Sequence, residues 1–90
     1  MIFKDLYDYC IENQISLSCA ESCTAGLISS KITSISGSSK IFKGGIIAYQ
    51  NSIKINQLDV SQKIINEKPQ VSYEVVEQMA YSVRRNFNSD

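Results

Sequence analysis

The chain has 90 residues, 43% of them apolar and 20% charged, a profile that fits a globular domain and excludes a disordered tail. Nine basic side chains balance nine acidic ones, which leaves no electrostatic footprint for nucleic acid or an anionic membrane and favours a small-molecule ligand. No apolar run approaches the roughly 20 residues that cross a bilayer, and Met1 leads straight into an amphipathic segment, so the expected location is the cytoplasm.

One domain over residues 1–90 is expected, with a modest core, because a chain of this size buries only about two-thirds of its unfolded surface. Phe3, Leu6, Tyr7 and Cys10 recur at helical spacing, so Ile2 to about Asn13 reads as an amphipathic helix closed by the polar Asn13-Gln14 pair. Ile15 to Ala20 has the length and β-compatible content of a buried strand. Ala25, Ile28, Ile32 and Ile35 then share one face, predicting a second helix from about Cys23 to Ser34. After the small-residue loop Ser36-Gly37-Ser38-Ser39, Ile41 to Tyr49 reads as a strand. Its Gly44-Gly45 pair predicts a bulge or a close approach of backbone to a ligand.

Asn51 to Leu58 reads as a short helix, while Asp59 to Pro69 shows no clear period and is assigned to no element. The last helix carries the apolar stripe Val76, Met79, Ala80, Val83 and Phe87. Ser72 is placed to cap it, Val71 and Val76 to form a hydrophobic staple, and Glu74 and Arg84-Arg85 suit its dipole. The alternation predicts an α/β fold, a layered parallel sheet with flanking helices. Two strands alone make a poor core, so further strands or another chain are expected to complete it.

Three cysteines, at 10, 19 and 23, are odd in number and lack C-x-x-C spacing, and read as reduced thiols. The absence of histidine removes the commonest general base and zinc ligand together. Neither a metal nor a cofactor is expected. The run Ala20-Glu21-Ser22-Cys23-Thr24-Ala25-Gly26 places a serine where a strand gives way to a helix, and the free N–H groups of a helix's first turn can serve as oxyanion donors. A plain helix cap is the competing reading for Ser22. Tyr49, at the end of the glycine-bearing strand, and Lys54, on the following turn, are the second candidates, since a lysine disfavoured as an ammonium by burial can accept a serine proton. A half-buried strand aromatic and a solvated helix charge are their ordinary alternatives. Strand ends in parallel α/β sheets gather ligands, which brings Ser22 and Tyr49 to one edge.

These motifs, with Gly37-Ser38-Ser39, the run Phe42-Lys43-Gly44-Gly45-Ile46-Ile47-Ala48-Tyr49, Asn51, Lys54 and Val71-Ser72, resemble the C-terminal domain of CinA-type competence/damage-inducible proteins, the nicotinamide-nucleotide amidohydrolase family. The resemblance implies hydrolysis of the carboxamide of nicotinamide mononucleotide to nicotinic acid mononucleotide and ammonia, with no metal. It implies Ser22 as nucleophile and Tyr49 and Lys54 as the groups that activate it. Thr24 and the backbone near Cys23 become candidates for oxyanion or substrate contacts, and Gly44 and Gly45 for approach to the nucleotide. Glu21 is read as a solvated carboxylate or as a group orienting Lys54. Ala25 stands where many members of the family have glycine, and the family's domain continues beyond the helix ending near Asn88.

The partners expected are therefore a nucleotide substrate and either further copies of the chain or a chain supplying the missing half. A catalytically inactive oligomeric or nucleotide-binding module is the alternative function. A third reading makes Cys23 the nucleophile, activated by a helix N-terminus but without a histidine partner.

Overall fold

A computed structural model describes residues 2–68 and 72–90. Helix α1 spans Ile2–Asn13 and strand β1 Leu17–Glu21; helix α2 (Leu27–Thr33) and a 3₁₀ turn over Ser38–Lys40 lead to strand β2, Phe42–Ile47. Helices α3 (Asn51–Leu58), α4 (Gln62–Glu67) and α5 (Tyr73–Phe87) follow. The expected α/β class is observed, with β1 and β2 paired in parallel.

The two strands carry helices on both faces. Adjacent strand residues point to opposite faces. A Cβ on Gly44 would meet the Phe87 ring of α5, whereas one on Gly45 would meet Ser29 of α2. The core divides accordingly. On one face Cys10, Ile32 and Ile41 are buried against Phe3, Leu6, Tyr7, Leu17 and Cys19. On the other, Ala48, Leu58, Val60, Val75, Met79 and Val83 pack with Ala20 and Ile46.

The α1 stripe read from spacing is the stripe that packs. Its helix closes at Gln14, which adopts the left-handed conformation (φ 56°) so that the Ile15 N–H can donate to the Cys10 carbonyl at 2.9 Å, a Schellman-type ending. Helix α2 begins four residues later than the apolar spacing predicts. Residues 22–26 form turns instead, with Ala25 N–H bonded to the Ser22 carbonyl and Leu27 N–H to the Thr24 carbonyl. Ala25 and Gly26, at φ 53° and 93°, are left-handed there, which breaks helical continuation.

The polar stretch left unassigned contains α4, capped by Ser61, whose hydroxyl accepts from the Ile64 N–H. Ser72 caps α5 by the same device, accepting from the Val75 N–H. The staple proposed between Val71 and Val76 lies outside the described residues. Of the predicted α5 stripe, Met79 and Val83 are buried and Phe87 packs against the same cluster, while Val76, 57% exposed, and Ala80 face outward and Val75 and Ser82 are buried in their stead. Contacts with β1 above all, and with β2, α3 and α4, accompany that rotation.

Candidate functional site

The register brings the two strand ends together. Glu21 lies opposite Ile47, and the Ala48 N–H donates to the Glu21 carbonyl at 2.7 Å, so Ser22 and Tyr49 leave neighbouring strands at one edge. Strands in a sheet lie about 4.8 Å apart. Ser22 is half-buried and borders an apolar cavity of about 390 Å³ walled by Ala20, Val76, Met79, Ala80 and Val83, with Cys23 and Thr24 also on its rim. Tyr49, Lys54, Gly44 and Gly45 do not line it.

Ser22 is not a helix cap. The N-cap of α2 is Gly26, and no side-chain hydrogen bond is made there by the cap residue. Nor do the first N–H groups of α2 stand free for an oxyanion, because Glu21 has taken them. Its carboxylate accepts from the Ile28 N–H at 2.9 Å and the Ser29 N–H at 3.0 Å, and from the hydroxyls of Thr24 at 2.8 Å and Ser29. Glu21 is only 5% exposed, which corrects the reading of a solvated carboxylate. Burial alone would raise its pKa, but the hydrogen bonds from Ser29, Thr24 and Ile28 outweigh it and bring the group from 4.5 to about 2. The same geometry removes the premise for Cys23 as nucleophile, since its exposed thiol sits in the turn and not at the helix terminus.

Tyr49 is 72% exposed, so its ring stands clear of the core, in contrast to the half-buried strand aromatic weighed as its ordinary reading. Lys54 is 2% exposed on α3, so it is no solvated helix charge. No ion pair holds its ammonium among the described residues. Three residues before it, on the same helical face, the Asn51 Oδ1 is buried without a hydrogen-bond partner. An unpaired buried polar group is costly, so Asn51 Oδ1 marks a place where a ligand or a water has chemical use. Thr24 spends its hydroxyl on Glu21. Gly44 and Gly45 serve packing: a Cβ on Gly45 would come within 2.8 Å of the Cys19 carbonyl oxygen and 3.2 Å of Ser29 Oγ, and one on Gly44 within 3.3 Å of Phe87.

The family model of the CinA C-terminal domain matches residues 2–90. This chain belongs to that family. It is 49% identical over 76 residues to a putative competence-damage inducible protein of Halothermothrix orenii, covering 84% of this chain and 18% of that protein. It is also 49% identical over 87 residues to a CinA-like protein of Prochlorococcus marinus (strain NATL1A), covering 97% of this chain and 19% of the relative. Among solved structures, the competence/damage inducible protein CihA of Agrobacterium tumefaciens superposes with a TM-score of 0.93 at 29% identity, over 97% of this chain and 53% of that one. A competence-damaged protein (CinA) superfamily protein of Escherichia coli does so with a TM-score of 0.95 at 27% identity, over 98% and 51%. The chain thus spans under a fifth of these curated relatives and about half of these solved chains.

Within this CinA domain, residue-by-residue reading missed two features. Glu21 has its signal in the spacing Glu21-x-x-Thr24, with Ser29 beyond, but an acceptor that reaches forward to a helix seven residues on is visible only once the turn is folded. Asn51 belongs to the motif that carries the resemblance, and its burial emerges only in the fold. Among the described residues no cluster of three or more His, Cys, Asp or Glu side chains is arranged to hold a metal ion, and no helix is long and apolar enough to cross a membrane.

Proposed function

We propose that this CinA-family chain carries the nucleophile of a site that hydrolyses the carboxamide of nicotinamide mononucleotide. The Ser22 hydroxyl attacks the amide carbon as its proton passes, through the Tyr49 phenol, to the Lys54 amine. Collapse of the tetrahedral intermediate expels the amide nitrogen as ammonia with that proton, leaving an ester on Ser22. Water then hydrolyses the ester, yielding nicotinic acid mononucleotide and the free serine. The reaction is assigned to the cytoplasm, in keeping with the chain's free thiols.

The observation that carries this reading is the position of Ser22. It follows β1 at the carboxyl edge of a parallel sheet covered by helices on both faces, next to the exit of Tyr49 and on the rim of an apolar cavity, the place where α/β sheets bind ligands. The reading assigns the proton to Lys54, which is buried on α3 just after Tyr49. Because Glu21 occupies the α2 amides, the reading assigns oxyanion stabilisation to groups other than the first turn of that helix.

The test is ammonia release from nicotinamide mononucleotide by the chain. Ser22→Ala is expected to abolish it with an unchanged circular dichroism spectrum, and Lys54→Met to lower kcat by about 10²–10³-fold. Activity that persists in Ser22→Ala removes the serine from the mechanism. One observation favours a second reading, a nucleotide-binding module without turnover: Tyr49 and Lys54 lie off the cavity that Ser22 borders. Calorimetric binding of the mononucleotide without ammonia release identifies that module.

A further inference from the structure

Ser22 is bracketed by fixed neighbours. On its N-terminal side the Glu21 carbonyl is locked to β2 by the Ala48 N–H at 2.7 Å, one residue before Tyr49. On its C-terminal side the Ser22 carbonyl accepts from the Ala25 N–H at 3.1 Å and closes a turn, within which the Thr24 hydroxyl donates back to the Glu21 carboxylate at 2.8 Å. Residue 21 therefore holds both ends of the segment that carries Ser22. Its backbone fixes the entry and its side chain the exit.

The capping of α2 points the same way. A helix that opens on Ser, Thr or Asp satisfies its first N–H groups from the cap residue itself. Helix α2 opens on Gly26, which has no side chain to offer, and its Ile28 and Ser29 N–H groups are satisfied from the last residue of β1 instead. A buried carboxylate without a cation is costly unless donors surround it, and among the described residues neither Lys nor Arg is ion-paired with Glu21. Capping by itself asks for less. What the arrangement adds is a rigid link from the start of α2 to the residue next to Ser22.

We infer that Glu21 is the positioning residue of the Ser22 nucleophile: by tying Thr24 and the first amides of α2 to the end of β1, its carboxylate holds the 22–26 turn in the shape that presents the Ser22 hydroxyl at the strand edge beside Tyr49. Glu21 touches no substrate in this role and acts only through the turn. The inference rests on the reading of Ser22 as nucleophile and adds the group that keeps its hydroxyl in place. Displacing a reacting atom by about 1 Å lowers a rate by roughly 10²-fold, which is the scale expected when the turn slackens. Reach matters here more than charge. Glu21→Asp keeps the charge but is a methylene short of bonding Thr24 and the α2 amides together, whereas Glu21→Gln keeps the reach and an acceptor oxygen.

Two measurements on the 90-residue chain test the inference. NMR relaxation of the 22–26 amides reads the turn without any need for turnover. The wild type is expected at the order parameter of rigid backbone, about 0.85, Glu21→Gln at an intermediate value and Glu21→Asp below about 0.6. Ammonia release from nicotinamide mononucleotide, taken per folded chain, is expected to rank in the same order. Its kcat falls by about tenfold in Glu21→Gln and about 10²-fold in Glu21→Asp, while KM stays within about threefold. Thr24→Val leaves the α2 amides capped and removes only the bond to the turn, so it decides the matter where a Glu21 variant fails to fold. A loosened turn and a reduced kcat are expected there, and both recover in Thr24→Ser. A turn that stays rigid in Thr24→Val, or in folded Glu21→Asp, overturns the inference. So does a kcat that Glu21→Asp preserves better than Glu21→Gln, because charge is then the operative feature, or a Thr24→Val effect confined to KM, because Thr24 is then a substrate contact. A wild-type chain that releases no ammonia removes the amide-hydrolysis reading, and the order parameters alone then decide the positioning role.

Discussion

Glu21 shows how one carboxylate can set a turn. Its four donors all come from residues 24–29, so the charge is neutralised by hydrogen bonds without a cation. Since its folded pKa is depressed from 4.5 to about 2, the stability it contributes is present in full above about pH 4.5. It is lost as pH falls towards 2, and amounts to on the order of 3 kcal/mol across that window. Glu21→Gln is expected to destabilise the chain by about 2 kcal/mol at pH 7 and to flatten the acid limb, which urea titrations from pH 7 to 2.5 measure. Four residues on, Ala25 holds a left-handed conformation that disfavours any Cβ. Ala25→Gly is expected to raise stability by roughly 0.5–1 kcal/mol in the same assay. That ties the departure noted at Ala25 to backbone strain: the strand-to-helix run was legible, but the sign of φ at its sixth residue was not.

At the scale of elements, Gly45 decides how closely β1 and α2 approach β2. A methyl group there meets the Cys19 carbonyl oxygen at 2.8 Å, a backbone atom that cannot step aside. Gly45→Ala is expected to cost about 2 kcal/mol of stability by chemical denaturation, as overpacking does. The glycine pair was legible as a mark of a bulge or of a close approach of backbone to a ligand, and the contacts found in this structure are with the chain itself. The register shift between Leu17 and Ser18 supplies the bulge, and the close approach is to Cys19 and Ser29. Which partner a glycine admits is a property of packing that no local pattern encodes. Helix α4 escaped detection because six residues with Ile64 and Ile65 adjacent carry no period. Ser61 marks its start, and Gln78 of α5 secures it by accepting from the Ser61 N–H at 2.8 Å.

The molecule as a whole is elongated. Its radius of gyration is 13.8 Å and its extents are 40 × 21 × 18 Å, against about 12 Å for a compact chain of this length. A two-stranded sheet cannot wrap its helices, so apolar residues of α5 that a larger sheet would cover remain on the surface. Val76→Lys with Ala80→Glu is accordingly expected to change the stability of the chain alone by less than about 0.5 kcal/mol in urea, the ordinary cost of surface exchange. Period and turn chemistry by themselves determined the α/β class, both strands, α1, α3 and the Ser72 cap, because those signals act over a few residues. The burial of Lys54, the rotation of α5 and the occupation of the α2 amides by Glu21 were decided only by the tertiary structure. Each depends on which distant surface a side chain meets, and that is set by the packing of whole elements.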